Sequence, residues 1–267
     1  MNVNDSNLGY EQTYQERLEE TRSMITLASL LDTLDQGIYD STNYRKVMNE
    51  AYKIAKEANS NGIPSQVPEV SCVSSVIRSN VKIMIYNIIE FSVASLLQAI
   101  YDRIQNEKCG YAEVSEQLRT IWRQTRLHKL QDPAANNNTV ERISKELLDD
   151  AITNTALCFE TRKTIVGGNL ESDNICELFR KHGVSLHSSL LSIGNRYKGE
   201  LKDIKNRRND LAHGSLSFTE AGSQVTTSEL TAIVNHVDSF LMQLHEEVIT
   251  YLDAKEYRQN PVSHNKN

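Results

Sequence analysis

The chain has 267 residues, enough for one large domain or two small ones with a substantial core. Hydrophobic residues make up 39% and charged residues 24%, as in an ordinary soluble protein, and eleven Gly with four Pro are too few for a turn-rich β fold. A net charge of −6 excludes indiscriminate nucleic-acid binding through a globally basic surface and leaves room only for a local basic groove.

Residues 1–10 are polar and acidic, unlike a signal peptide, and are expected to be disordered. From 11 to 35, Tyr14, Leu18, Thr21, Ile25, Ala28 and Leu31 recur at spacings of three and four, which predicts an amphipathic helix. Tyr44, Val47, Met48, Ala51 and Tyr52 predict a second helix over 43–59, so 11–60 reads as N-terminal helices packed on the core. Pro64 and Pro68 mark residues 61–71 as a connector. The most apolar stretch, 76–104, predicts a helix running to about Asn106 and ended by Cys109-Gly110. Arg78, Lys82 and Glu90 cut it into uncharged runs well short of the ~20 residues a bilayer needs, so it is read as a buried helix with no membrane contact.

Helices are predicted next over 112–130 and 140–151, separated by Asp132-Pro133 and a polar run. Residues 165–174 read as a loop containing Gly167-Gly168, and NICELFRKHG as a short helix capped by Gly183. From Ser185 onward, Leu186, Leu190, Ile193, Tyr197, Leu201, Ile204 and Leu211 mark one face of a single long helix halting at Gly214. Residues 215–225 read as a loop. Thr226 with Glu229 forms a capping box that opens a last helix, striped by Leu230, Ile233, Val237, Phe240, Leu241, Leu244, Val248 and Leu252. The polar tail 256–267 is expected to be disordered. With no βαβ alternation, the fold class is all-α.

Cys72, Cys109, Cys158 and Cys176 are scattered, without zinc spacing, and suit reduced thiols in a cytoplasm. There is no phosphate loop, HExxH helix, nucleophile elbow or dinucleotide fingerprint, and no histidine pair at i, i+4. No metal and no cofactor is expected.

One short stretch carries chemistry. NRRNDLAHG, 206–214, places Arg208 four intervening residues before His213. Arg123 with His128 and Arg258 with His264 have comparable spacing, but Arg208 is followed by Asn209 and stands before the final amphipathic helix. Arg208 also shares a face with Ile204 and Leu201, and a cation aimed along an apolar stripe needs a partner or a purpose. Asn87 and Glu90, one turn apart in YNIIEF of the long apolar helix, offer a carboxylate for it. The alternative is that Glu90 and Arg208 form an ion pair of structural value alone.

This spacing resembles the R-x4–6-H signature of HEPN nucleases, and Asn209 fits the polar slot after their arginine. The run GGNLESDNICELFRKHGV, a long helix and RNDLAHG are together similar to a bacterial HEPN branch of toxin and phage-defence proteins, over roughly residues 70–255. The resemblance implies an all-α, HEPN-like helical bundle with long antiparallel helices and additional N-terminal helices. It also implies a metal-independent endoribonuclease in which Arg208 and His213 from two subunits of a homodimer meet. His213 would exchange the proton of the ribose 2′-OH, and Arg208 would offset charge on the phosphorane. Asn209 would orient the phosphate or the histidine, Glu90 would hold the arginine, and the product would be a 2′,3′-cyclic phosphate. Arg207, Lys205 and Lys202, with Lys198 on the same helix and Asn87, would gather RNA, whether tRNA or another cellular or phage RNA. A neutralising antitoxin or defence-system partner and a cytoplasmic location follow from the same branch. One departure limits the analogy. Where some of these toxins carry a tyrosine two residues beyond the histidine, for control by nucleotidyl transfer, this chain has Ser215, so that control is not expected. On a straight helix Arg208 and His213 stand about 140° apart, so they converge within one chain only if the helix bends or ends between them. Two other readings compete: a catalytically inactive HEPN-fold protein that binds nucleotide or RNA or regulates, and an unrelated helical scaffold.

Overall fold

The computed structural model describes residues 3–35, 42, 46–47, 49–50, 53–54, 57, 69–127, 137–159 and 170–259. Among these the regular elements are all helices: α1 (Val3–Asp35), α2 (Val70–Asn106), α3 (Glu116–Leu127), α4 (Asn137–Thr153) and α5 (Ser172–Lys181). They are followed by α6 (Ser188–Arg196), α7 (Lys198–Ala212), α8 (Phe218–Ser223) and α9 (Thr227–Asp253). An isolated antiparallel bridge joins Val114 to Arg258. Tyr44, Met48, Ala51 and Tyr52 of the expected second helix, the connector over 61–68, His128, Gly167-Gly168 and His264 lie outside the described residues.

Helix α2 starts six residues earlier than expected, because no Gly or Pro intervenes after Pro68 to stop it. By length and hydropathy alone it could cross a membrane. Its apolar residues Val81, Ile85, Ile88, Ile89, Val93, Leu96, Leu97 and Ile100 are instead buried against protein, and a helix apolar on all sides is a core helix when so covered.

The chain divides into two compact units, one built from the described parts of 15–87 and 203–235, the other from 1–14, 88–202 and 236–267. In the first unit the α1 stripe Leu18, Thr21, Ile25, Ala28 and Leu31 is buried, as are Val81, Ile85 and Tyr86 of α2, Ile204 and Leu211 of α7, and Leu230 and Val234 of α9. Arg78 ties three helices together. Its guanidinium donates to Asp32 of α1 at 2.5 Å, to Ser74 and Ser75 of α2 at 3.0 Å, and to the Gly222 carbonyl of α8 at 2.9 Å. The approach of α8 to α2 is close enough to require glycine: a Cβ on Gly222 would lie 1.6 Å from the Ser75 carbonyl oxygen. Helix α8 falls in what reads as a loop. Ser217 caps it, accepting from the Glu220 N–H at 3.2 Å while the Glu220 carboxylate accepts from the Ser217 N–H at 3.1 Å. The Thr226–Glu229 box at the head of α9 forms as expected, and the Thr226 N–H and hydroxyl, with Lys82 adding a smaller attraction, hold the Glu229 carboxyl below its usual range.

The second unit is ordered around buried aromatics. Tyr14 donates to Asp238 at 2.7 Å, and Trp122, Phe179, Phe240, Tyr251 and Tyr257 are all within 2% of complete burial. His182 is wholly buried, with Nδ1 2.7 Å from the Leu178 carbonyl and Nε2 2.7 Å from the Tyr101 hydroxyl. The carbonyl can only accept, so Nδ1 carries the hydrogen and Nε2 accepts from Tyr101. The chain stays packed past α9, where a polar tail was expected. The Ser115 N–H donates to the Tyr257 carbonyl at 2.8 Å, the Gln259 N–H to the Glu113 carbonyl at 2.9 Å, and Arg258 pairs with Glu107 at 2.5 Å. The Tyr257 ring, fully buried, is what the polar composition of that segment concealed.

Candidate active site

The helix expected to run unbroken from Ser185 to Gly214 is two helices. Residues 184–187 are not helical, and α6 gives way to α7 at Tyr197, whose φ of −106° and ψ of 13° leave the helical region. Gly194-Asn195 weakens the helix there, and packing fixes the break. A Cβ on Gly194 would sit 3.2 Å from the Phe240 ring, and Tyr197 stacks on His236 at 3.7 Å with the rings 12° apart. His236 Nδ1 is in turn 2.8 Å from Glu200 in the first turn of α7.

Helix α7 then runs without interruption through Arg208 and Asn209, and its end is well defined. Gly214 adopts a φ of +71°, a conformation that disfavours any side chain. The Ser215 N–H reaches the Asp210 carbonyl at 3.0 Å and the Gly214 N–H the Leu211 carbonyl at 3.2 Å, the paired bonds of a Schellman motif. His213 is the C-cap. Its N–H still donates to the Asn209 carbonyl at 2.9 Å, so the helical turn carries through it. The stop expected at Gly214 is present, but no bend separates Arg208 from His213, and the two remain about 140° apart around the axis.

The two side chains have different surroundings. His213 is exposed. Arg208 is half-buried, its Cζ 5.1 Å from the centroid of the Tyr86 ring, and its Nη1 donates to Asn209 Oδ1 at 3.2 Å. A guanidinium within about 6 Å of a ring centroid is attracted by the ring quadrupole. The tyrosine that opens YNIIEF is thus a neighbour of Arg208 that sequence reasoning did not name. Glu90 is half-buried on the same helix, and Asn87, between them, is exposed. Nothing in the sequence alone marked Tyr86; in the structure it follows Lys82 by one turn of α2, and both meet charged residues of α7.

Lys82 explains the neighbouring arginine. Although almost fully buried, its Nζ donates to Asp203 Oδ2 at 2.7 Å, and Arg207 Nε donates to Oδ1 of the same carboxylate at 3.4 Å. Arg207, expected to bind RNA, therefore already has an acidic partner one turn away. Lys198 is likewise paired, with Asp173. Lys205 is half-buried and Lys202 exposed. Between 198 and 212 five cations face three acids, Glu200, Asp203 and Asp210, so α7 offers a modest positive surface and not a strongly basic one. Arg123 and Arg258, each also followed by a histidine at comparable spacing, are held elsewhere: Arg123 by Glu116 at 2.6 Å and by the Tyr111 hydroxyl at 2.8 Å, and Arg258 by Glu107.

No curated protein and no solved structure matches the chain. A model of the MAE_28990-like HEPN family matches residues 10–257, which takes in α2, the arginine–histidine stretch and nearly all of the described helices. The HEPN superfamily includes ribonucleases, and its all-α architecture is the one found here. By that match the chain belongs to the MAE_28990-like HEPN family.

Proposed function

We propose that this chain is a metal-independent endoribonuclease of HEPN type, working as a homodimer in toxin or antiviral-defence chemistry. The observation that carries the reading is the pairing, on the last two turns of one helix, of a supported arginine with an exposed histidine at a rigid cap. Arg208 is steadied by Tyr86 and Asn209, and His213 stands free to meet substrate at the Gly214 stop. RNA supplies its own nucleophile in the 2′-OH. His213 accepts that proton or returns one to the departing 5′ oxygen, and Arg208 offsets charge growing on the phosphorane through charge-assisted hydrogen bonds. Asn209 orients the phosphate.

Divergence of the two side chains around α7 favours a composite site. An arginine and a histidine about 140° apart on one helix serve one phosphate most readily when a second copy supplies the complementary group across a two-fold axis. Incubation of the purified protein with tRNA and with total RNA in EDTA tests the proposal. Wild type cleaves; Arg208→Ala and His213→Ala each lose cleavage while keeping the wild-type helical content and melting transition. Cleavage surviving His213→Ala refutes it.

A further inference from the structure

We infer that Phe218 is the residue on which the RNA strand beside His213 stacks a base, an inference that rests on the nuclease reading of the Arg208–His213 pair. Phenylalanine is among the most buried residue types, and four of the five in this chain are buried or stacked on another ring. Phe179 and Phe240 are buried, Phe91 stacks on Tyr10, and Phe159 stacks on Tyr101. Phe218 is 38% exposed, and among the described residues no ring stacks on it. Helix α8 is held to α2 by other groups: Ala221 and Gly222 are buried, and the Gly222 carbonyl accepts from Arg78 at 2.9 Å. Phe218 stands one turn before them, at the rim of that contact.

The segment between His213 and Phe218 is short and tied at both ends. The Schellman bonds of Gly214 and Ser215 fix the near end, with the Ser215 hydroxyl 3.1 Å from the Asp210 carbonyl. The Ser217–Glu220 box fixes the far end, where the Glu220 carboxylate folds back onto the Ser217 N–H and hydroxyl at 3.1 and 2.7 Å. The five residues from 213 to 218 span at most about 18 Å, so the ring and the His213 imidazole lie within reach of one short strand. Every base has a π-face, so an open ring at a fixed offset from the reacting groups sets the register of a strand without reading its sequence. Fixing the ring beforehand also removes an ordering cost that a mobile loop would meet on binding.

The test uses full-length protein and a short single-stranded RNA with methylated 2′-oxygens, which blocks the nucleophile and separates binding from cleavage. Phe218→Leu keeps apolar bulk and removes the ring; Phe218→Trp keeps a ring. Phe218→Leu is expected to bind about tenfold more weakly, and Phe218→Trp at least as tightly as wild type. Stacking releases no counterion, so the affinities of wild type and Phe218→Leu fall in parallel as salt rises. Abasic substitution along the strand locates the base: one position costs wild type about tenfold and Phe218→Leu little. On unmodified RNA the loss falls on KM with kcat within about twofold, because the stack is made equally in ground and transition states. If Phe218→Leu does not fold, Phe218→Met takes its place. Equal affinity of wild type and Phe218→Leu, no position with that coupling, a loss confined to kcat, or no binding of RNA by wild type overturns the inference. Failure of the nuclease reading looks different: wild type shows the ring-dependent binding and leaves unmodified RNA intact.

Discussion

His182 makes the stability of this protein depend on pH in a calculable way. Burial pushes its imidazole from the ordinary 6.5 down to about 4, opposed only in part by the Leu178 carbonyl. Because the folded value lies below the unfolded one, the unfolded chain binds the extra proton first as pH falls, and stability drops through the interval from about 6.5 to 4. Between pH 7.5 and pH 4 the loss from this group is roughly 3 kcal/mol, at 1.36 kcal/mol for each unit of displacement. Urea unfolding of wild type and His182→Leu at several pH values isolates the contribution. The variant is the less stable near pH 7.5 by about 1–3 kcal/mol, since Tyr101 and the Leu178 carbonyl lose their partner. As pH falls the gap closes and then reverses, because the variant has no imidazole to protonate. His245, whose pKa burial also lowers, is present in both proteins and cancels in the comparison. Parallel pH profiles for the two proteins would refute the reasoning.

Gly222→Ala forces a methyl group to within 1.6 Å of the Ser75 carbonyl oxygen, and denaturant unfolding is expected to show a loss at or above the ~3 kcal/mol upper range for overpacking. Gly199→Ala, with nothing within 4 Å of the new Cβ, is expected to be neutral or slightly stabilising in the same assay. Asp203→Asn leaves the buried Lys82 ammonium without its 2.7 Å carboxylate and costs about 2–4 kcal/mol; Lys82→Met in the Asp203→Asn background recovers most of it, as a thermal-melt cycle will reveal. Lys202→Gln, at an exposed cation, lowers the slope of log affinity for single-stranded RNA against log salt by about 0.7, and an unchanged slope removes Lys202 from the RNA surface.

Local rules carried far in this chain, and tertiary contacts account for the departures. The Thr226–Glu229 box was legible because both members lie within one turn. Ser217 and Glu220 write the same signature, but it was hidden by the absence of an apolar stripe in so short a helix. The break at Tyr197 could not be read locally: the stripe from Leu186 to Leu211 continues through it, and the cause lies in Phe240 and His236 of α9. The spacing of Arg208 and His213, and the stop at Gly214, were legible as sequence. The ring beside Arg208 was not, because a search along the charged residues passes over an aromatic face. Asp203 was missed too: reading α7 for its cations obscured the acid that binds one of them, Arg207, together with Lys82 of α2.

The most direct measurement of the central claim is the chemical identity of the ends left on RNA cleaved by the full-length protein in EDTA. Attack by the ribose 2′-OH under Arg208 and His213 leaves a 2′,3′-cyclic phosphate on one fragment and a 5′-hydroxyl on the other. Fragments ending in 3′-hydroxyl and 5′-phosphate, or cleavage that begins only when magnesium is added, would contradict the account.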